Sequence, residues 1–258
     1  MLAVAPAAIL LKYVLIRDKY KHEPMQLIAV TFLLGALGTV PATILELLLN
    51  SPNILVNAFI STAVVEECVK YFAVRAKAYH SPSLNETMDG IVYGVAAGLG
   101  FATVENVLYV LGFGTLSTAI VRAFLSVPSH AAYAGIMGFY LGMAKLHSNG
   151  ENSKKNGRIL IITGLTIAIV LHGLYDTIAL TLDGYAALAG LLIMTLISWA
   201  ILLRLIKRAV SLSPIRWGFT QVPTPTYLQV YPYRFCTQCG AHREFGSAFC
   251  VNCGHEFT

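Results

Sequence analysis

Seven apolar stretches, separated by short charged or turn-forming segments, constrain this chain more than any other feature. They run at about 2–16, 25–49, 54–74, 89–112, 115–146, 158–182 and 185–208. A helix needs about 20 mostly apolar residues to cross the hydrocarbon core of a bilayer, where every backbone polar group must be satisfied within the segment. Charged residues make up only 12% of the chain, against about 25% in soluble domains, which is too few to cover a water-facing surface. The sequence therefore predicts an all-α, polytopic transmembrane bundle of about seven spans, embedded in the lipid bilayer. The net charge of +5 comes from Lys and Arg scattered beside the apolar runs. That is a membrane-flanking pattern and argues against a nucleic-acid partner.

The fifth stretch is long for one straight span and contains Pro128, which removes a backbone donor and should kink or break a helix. Loop charge decides between one pass and two, because cytoplasmic loops collect Lys and Arg. With a single pass, Arg17, Lys19 and Lys21, then Arg75 and Lys77, then Lys145, Lys154, Lys155 and Arg158, and finally the tail after Arg204, all share one side. The turns near 50–53, 113–114 and 183–184 share the other side and hold no Lys or Arg. The expectation is seven crossings with the N-terminus outside and the C-terminus in the cytoplasm. The first stretch has no basic segment before it and is followed by positive charge, so it reads as a retained helix rather than a cleaved signal.

After residue 209 the composition changes. Residues 210–234 include Pro214, Pro223, Pro225 and Pro232 and read as a tether, and residues 235–258 carry four of the five cysteines. Cys236-x-x-Cys239-Gly and Cys250-x-x-Cys253-Gly are two knuckles able to converge on one ion as a closed tetrahedral site. A closed site leaves no position open for a substrate, so the tail is expected to be a zinc ribbon with structural zinc. Its role would be docking to a cytoplasmic protein partner or regulation. The three units expected are a transmembrane domain at 1–209, the linker and the ribbon.

A charge near the middle of a transmembrane helix costs roughly 2.5–3.5 kcal/mol on insertion scales. This chain nevertheless places Glu66, Glu67, Lys70, Glu105, Arg122, His130, His172 and Asp176 inside apolar runs. Lys70 or Arg122 alone would read as a packing or snorkelling side chain, but the group together reads as a site. Glu66 and Lys70 lie four apart and share a helix face, so they can neutralise each other. Glu67 is turned about 100° away and is free for another task. His172 precedes Asp176 by four residues, so the carboxylate can hold one ring nitrogen and fix the tautomer of the other. Gly90, Gly94 and Gly98 recur every four residues and mark a face for close helix packing. The four carboxylates outnumber the two bases, so protons or a divalent cation should offset the excess.

The elements Glu66-Glu67-Cys68-Val69-Lys70, Phe101-x-x-x-Glu105-Asn106, Pro128-Ser129-His130 and His172-x-x-x-Asp176, in that order in separate apolar spans, resemble the PrsW family of intramembrane proteases. That family is in turn distantly similar to the CAAX prenyl endopeptidases. Here Glu105 and Asp176 stand where that relative has His and Asn. The resemblance covers about 200 residues and leaves out the ribbon. It implies a prokaryotic cell membrane and hydrolysis of peptide bonds in membrane-associated protein substrates, regulatory ones such as a membrane-bound anti-sigma factor among them. The catalytic set it implies is Glu66, Glu67, Glu105, His130, His172 and Asp176. A glutamate of the pair would act as general base on water, with His172 and Glu105 positioning it or handling developing charge. A divalent metal held by the histidines and carboxylates is the other version. Two further classes stay open at this point: an ion-coupled transporter, and a noncatalytic membrane receptor or scaffold in which the ribbon does the docking.

Overall fold

The computed structural model describes residues 5–113, 115–146 and 151–213, and all of its regular elements are helical. In order, these are α1 (Ala5–Arg17), α2 (Met25–Leu49), α3 (54–76), α4 (Thr87–Phe113), α5 (116–146), α6 (Glu151–Thr181) and α7 (Gly184–Leu212), with one 3-10 turn at Ala78–His80. Among the described residues, four helices are long and apolar enough to cross a bilayer, where seven spans were expected: Met25–Leu49, Thr87–Gly112, Lys155–Thr181 and Gly184–Leu212. Large apolar side chains lie exposed along them, among them Leu33, Leu37 and Leu48 on α2 and Ile193 and Leu196 on α7. Such a surface suits lipid and not water. Cys236, Cys239, Cys250 and Cys253, and with them the expected ribbon, lie outside the described residues.

α4 and α5 form the centre, where Tyr93, Leu99 and Phe101 of one and Tyr133, Ile136 and Phe139 of the other are fully buried. Their close approach has a sequence cause. A Cβ added at Gly98 would sit 2.7 Å from the His130 carbonyl oxygen and 2.6 Å from Ala134 Cβ, so only glycine lets α5 come this near. The glycine stripe is helix packing, and it presses the His130 segment against α4. α2 covers one side of this pair, and α6 and α7 cover the other.

Two helices change type part-way. In α3, a π-helical segment (Asn57–Val64) leads directly into Val65–Ala76, which carries the paired glutamates. In α5, the π segment Arg122–Ser126 leads into Val127–Leu146. Pro128 was expected to kink or break this helix. Instead the ladder widens just ahead of the proline, which has no N–H to donate and whose ring crowds the carbonyl four residues back. The helix continues as one run. The Pro128 carbonyl accepts a hydrogen bond from Trp199 Nε1 of α7 at 3.0 Å.

At the end of the bundle where α1 meets α2, Asp18 and Glu23 are buried, and Tyr93 OH donates to Glu23 Oε2. The first turn of α4 is closed by Asp89, whose Oδ2 accepts the backbone N–H groups of Asn85 at 2.7 Å and Glu86 at 2.6 Å.

Candidate active site

Midway along α3 the buried face carries Glu66, Glu67 and Lys70, each no more than 3% exposed. Helical spacing predicts a Glu66–Lys70 pair with Glu67 apart. The ammonium in fact reaches both carboxylates, at 3.0 Å from Glu66 Oε2 and 2.8 Å from Glu67 Oε1, because positions three and four residues back are both neighbours on a helix. It also lies 2.8 Å from His130 Nδ1 of α5 and 4.5 Å above the Phe101 ring of α4. The second oxygen of Glu67, Oε2, is buried and makes no hydrogen bond.

Lys70 settles the state of His130. An ammonium only donates, so Nδ1 accepts, and the ring proton sits on Nε2. Nε2 lies 3.0 Å from Glu105 Oε2, so the carboxylate stands beside that side of the ring. The other Glu105 oxygen is 2.8 Å from Arg122 Nη2. His172 on α6 has a carboxylate at each nitrogen: Nδ1 is 2.9 Å from Glu67 Oε1, and Nε2 is 3.3 Å from Asp176 Oδ2. Its ring stacks on Tyr133 at 5.4 Å and meets His130 edge-on at 5.1 Å. α6 comes close enough because residue 173 is glycine; a Cβ there would lie 2.4 Å from the Phe59 ring in the π segment of α3.

All six residues singled out from the sequence as catalytic thus gather in one place. Glu105 joins through His130, and Asp176 through His172. Exposure rises outward from the fully buried Glu67 and Lys70 to the Glu105 and Asp176 side chains, at 14% and 20%. Arg122, open to a snorkelling reading, turns its guanidinium inward. One acid went unnoticed. Glu46 of α2 lies within electrostatic range of Glu66, Glu105, Lys70, His172 and Asp176, and its Oε1 is buried without a partner. The available signal was its place one turn beyond Ala42, on the α2 face that packs against Val65 and Phe101.

Glu66, His130 and His172 each offer a ligand atom, all within 4.8 Å of one another. Two imidazoles and one carboxylate are a donor set that suits a catalytic divalent cation such as zinc, with room left in the coordination sphere. The same three groups could instead hold a water beside a carboxylate base.

A buried carboxylate and histidine centre packed among helices apolar enough to cross a bilayer, fit to activate water or hold a cation, suits a membrane-embedded hydrolase. The family model described as PrsW family intramembrane metalloprotease matches residues 23–203. Relatives include "Protease PrsW" of Geobacillus kaustophilus, 38% identical over 210 residues, covering 80% of this chain and 89% of that one. "Protease PrsW" of Bacillus subtilis is 35% identical over 186 residues, covering 70% and 83%, and that of Clostridioides difficile is 31% identical over 211 residues, covering 78% and 87%. No solved structure matches. The chain belongs to the PrsW family and is an intramembrane protease, which displaces the transporter and receptor readings.

Proposed function

We propose that this chain cuts membrane-anchored protein substrates at the Glu66–Glu67–His130–His172 centre, with Glu67 as general base. The observation that carries this reading is the convergence of Glu66, His130 and His172 within 4.8 Å beside the unpaired Oε2 of Glu67. Oε2 takes a proton from water, the resulting hydroxide adds to the scissile carbonyl, and the proton passes to the nitrogen as the C–N bond breaks. Lys70 and His172 hold the other Glu67 oxygen, so the base keeps its orientation through the cycle. The Lys70 ammonium beside the pair supplies the positive charge that offsets the developing oxyanion. Glu66, His130 and His172 would hold a divalent ion, which when bound polarises the carbonyl and acidifies its water.

Around this centre we place seven crossings with the N-terminus outside. The protease domain is residues 1–209, a linker follows at 210–234, and a zinc ribbon on the cytoplasmic side occupies 235–258. Substrates in this scheme include regulatory membrane proteins of the anti-sigma-factor kind. The ribbon's thiolates hold structural zinc, and the folded ribbon docks a cytoplasmic partner. The test is cleavage of single-span substrates by the reconstituted protein. Glu67→Gln should lower the rate by about 100- to 10,000-fold, the usual contribution of a general base, with the helical fold intact. Wild-type turnover by that variant would remove Glu67 from this role.

A further inference from the structure

Arg122 is the one cation of the cluster that touches neither paired glutamate, yet its geometry ties it to the centre. Nη2 lies 2.8 Å from Glu105 Oε1, and the guanidinium carbon sits 3.7 Å over the Tyr109 ring. The other Glu105 oxygen lies 3.0 Å from His130 Nε2, while Nδ1 lies 2.8 Å from Lys70 Nζ and 3.7 Å from Glu66 Oε2. Arg122, Glu105 and His130 therefore form one chain that ends on a proposed functional nitrogen. The backbone builds this chain too. In an uninterrupted α-helix, residues eight apart differ by about 80° in direction. The π segment Arg122–Ser126 lies between Arg122 and His130, and its wider turn takes up much of that angle, bringing both onto the face that meets Glu105.

We infer that Arg122 is a positioning residue of the peptidase centre: through Glu105 it holds His130 as the Nε2–H tautomer, with Nδ1 turned toward Glu66. An imidazole with no anchor on its distal nitrogen can place its proton on either nitrogen and rotate about its side-chain bonds. The carboxylate removes the first freedom, and the guanidinium fixes the carboxylate. The inference rests on the role given to His130 under the proposed function.

The test uses the full chain reconstituted with a single-span substrate. Arg122→Gln should lower kcat by about 10- to 100-fold, the usual cost of losing an outer partner of a functional histidine, with KM little changed. Arg122→Lys should recover part of that loss, since an ammonium can still hold one Glu105 oxygen. In protein labelled with 15N-histidine, the His130 ring signals should change from one tautomer to a mixture in Arg122→Gln; loss of the charge beside buried Glu105 also lowers the unfolding temperature, so the tautomer signature is the readout that a merely structural role would not move. Arg122→Met, which keeps the stem without the charge, is the second variant if the Gln protein is unstable. Wild-type kcat together with an unchanged His130 signature, in whichever variant folds, overturns the inference. An Arg122→Lys enzyme slower than Arg122→Gln overturns it too. Glu67→Gln run alongside separates the two failures: if Glu67→Gln is inactive and Arg122→Gln is normal, only the positioning role falls.

Discussion

Lys70 is fully buried, and within 3.0 Å of its ammonium lie Glu66 Oε2, Glu67 Oε1 and His130 Nδ1. Ions buried this way persist only when paired and hydrogen-bonded, and removing one partner leaves the others uncompensated. Lys70→Met should therefore destabilise the protein by about 3–5 kcal/mol, the range for a broken buried pair, as read from unfolding in detergent. Unchanged stability would mean that the two glutamates are already neutralised by another group. Spacing alone suggests that Glu66→Gln would strand Lys70. Because the lysine also holds Glu67, either single Gln variant should fold, and their effects separate at the level of turnover. A second experiment follows from the trio. With Cys236, Cys239, Cys250 and Cys253 all changed to Ser, metal analysis should still find a divalent ion that His130→Ala and His172→Ala lose. No ion in the four-Ser protein would leave the water-activating version of the centre.

At the scale of elements, the α4–α5 contact sets where His130 stands. A methyl group at Gly98 meets the His130 carbonyl at 2.7 Å, and overpacking of this kind costs about 1–3 kcal/mol. Gly98→Ala should lower the unfolding temperature modestly and turnover more, because the displaced backbone carries a site residue. Equal losses at Gly98→Ala and Gly112→Ala would contradict this, since nothing lies within 4 Å of a Cβ at Gly112. The connection between α1 and α2 makes a separate prediction outside the membrane-spanning helices. Burial first, with the nearby Glu86 second, pushes Asp18 up from its ordinary 3.8 to about 6. Burial likewise pushes Glu23 up from 4.5 to about 7, against the hydrogen bond from Tyr93. Each acid holds its proton more tightly folded than unfolded. The stability it contributes is thus complete below its ordinary value and is lost as pH rises through the folded value. Unfolding temperature should fall between about pH 4 and pH 7, and the combined Asp18→Asn and Glu23→Gln protein should show a flatter profile. A wild-type profile in that variant would assign the pH dependence elsewhere.

For the whole molecule, the all-helical architecture and its four long apolar helices could be read from the chain because a bilayer imposes a simple rule: apolar runs must close their own hydrogen bonds. The run read at 25–49 is the helix Met25–Leu49, and the break expected at 183–184 separates α6 from α7. The site was legible for the same reason, since an acid or histidine kept in an apolar run is costly and so conspicuous. What sequence spacing does not carry is partner choice between helices. Nothing in the pattern says that Lys70 reaches His130, or that Glu105 meets Arg122. Glu46 passed unnoticed because an acid three residues from a helix end looks interfacial. The π segments were invisible because an apolar pattern at period 3.6 reads alike through a local widening. The central claim, that the buried glutamate and histidine centre hydrolyses peptide bonds, is tested most directly by mass spectrometry of a single-span substrate incubated with reconstituted protein. The wild type should yield two fragments whose masses sum to substrate plus one water, and Glu67→Gln, which leaves Lys70 paired with Glu66, should yield them about 100- to 10,000-fold more slowly; cleavage by that variant at the wild-type rate would contradict the account.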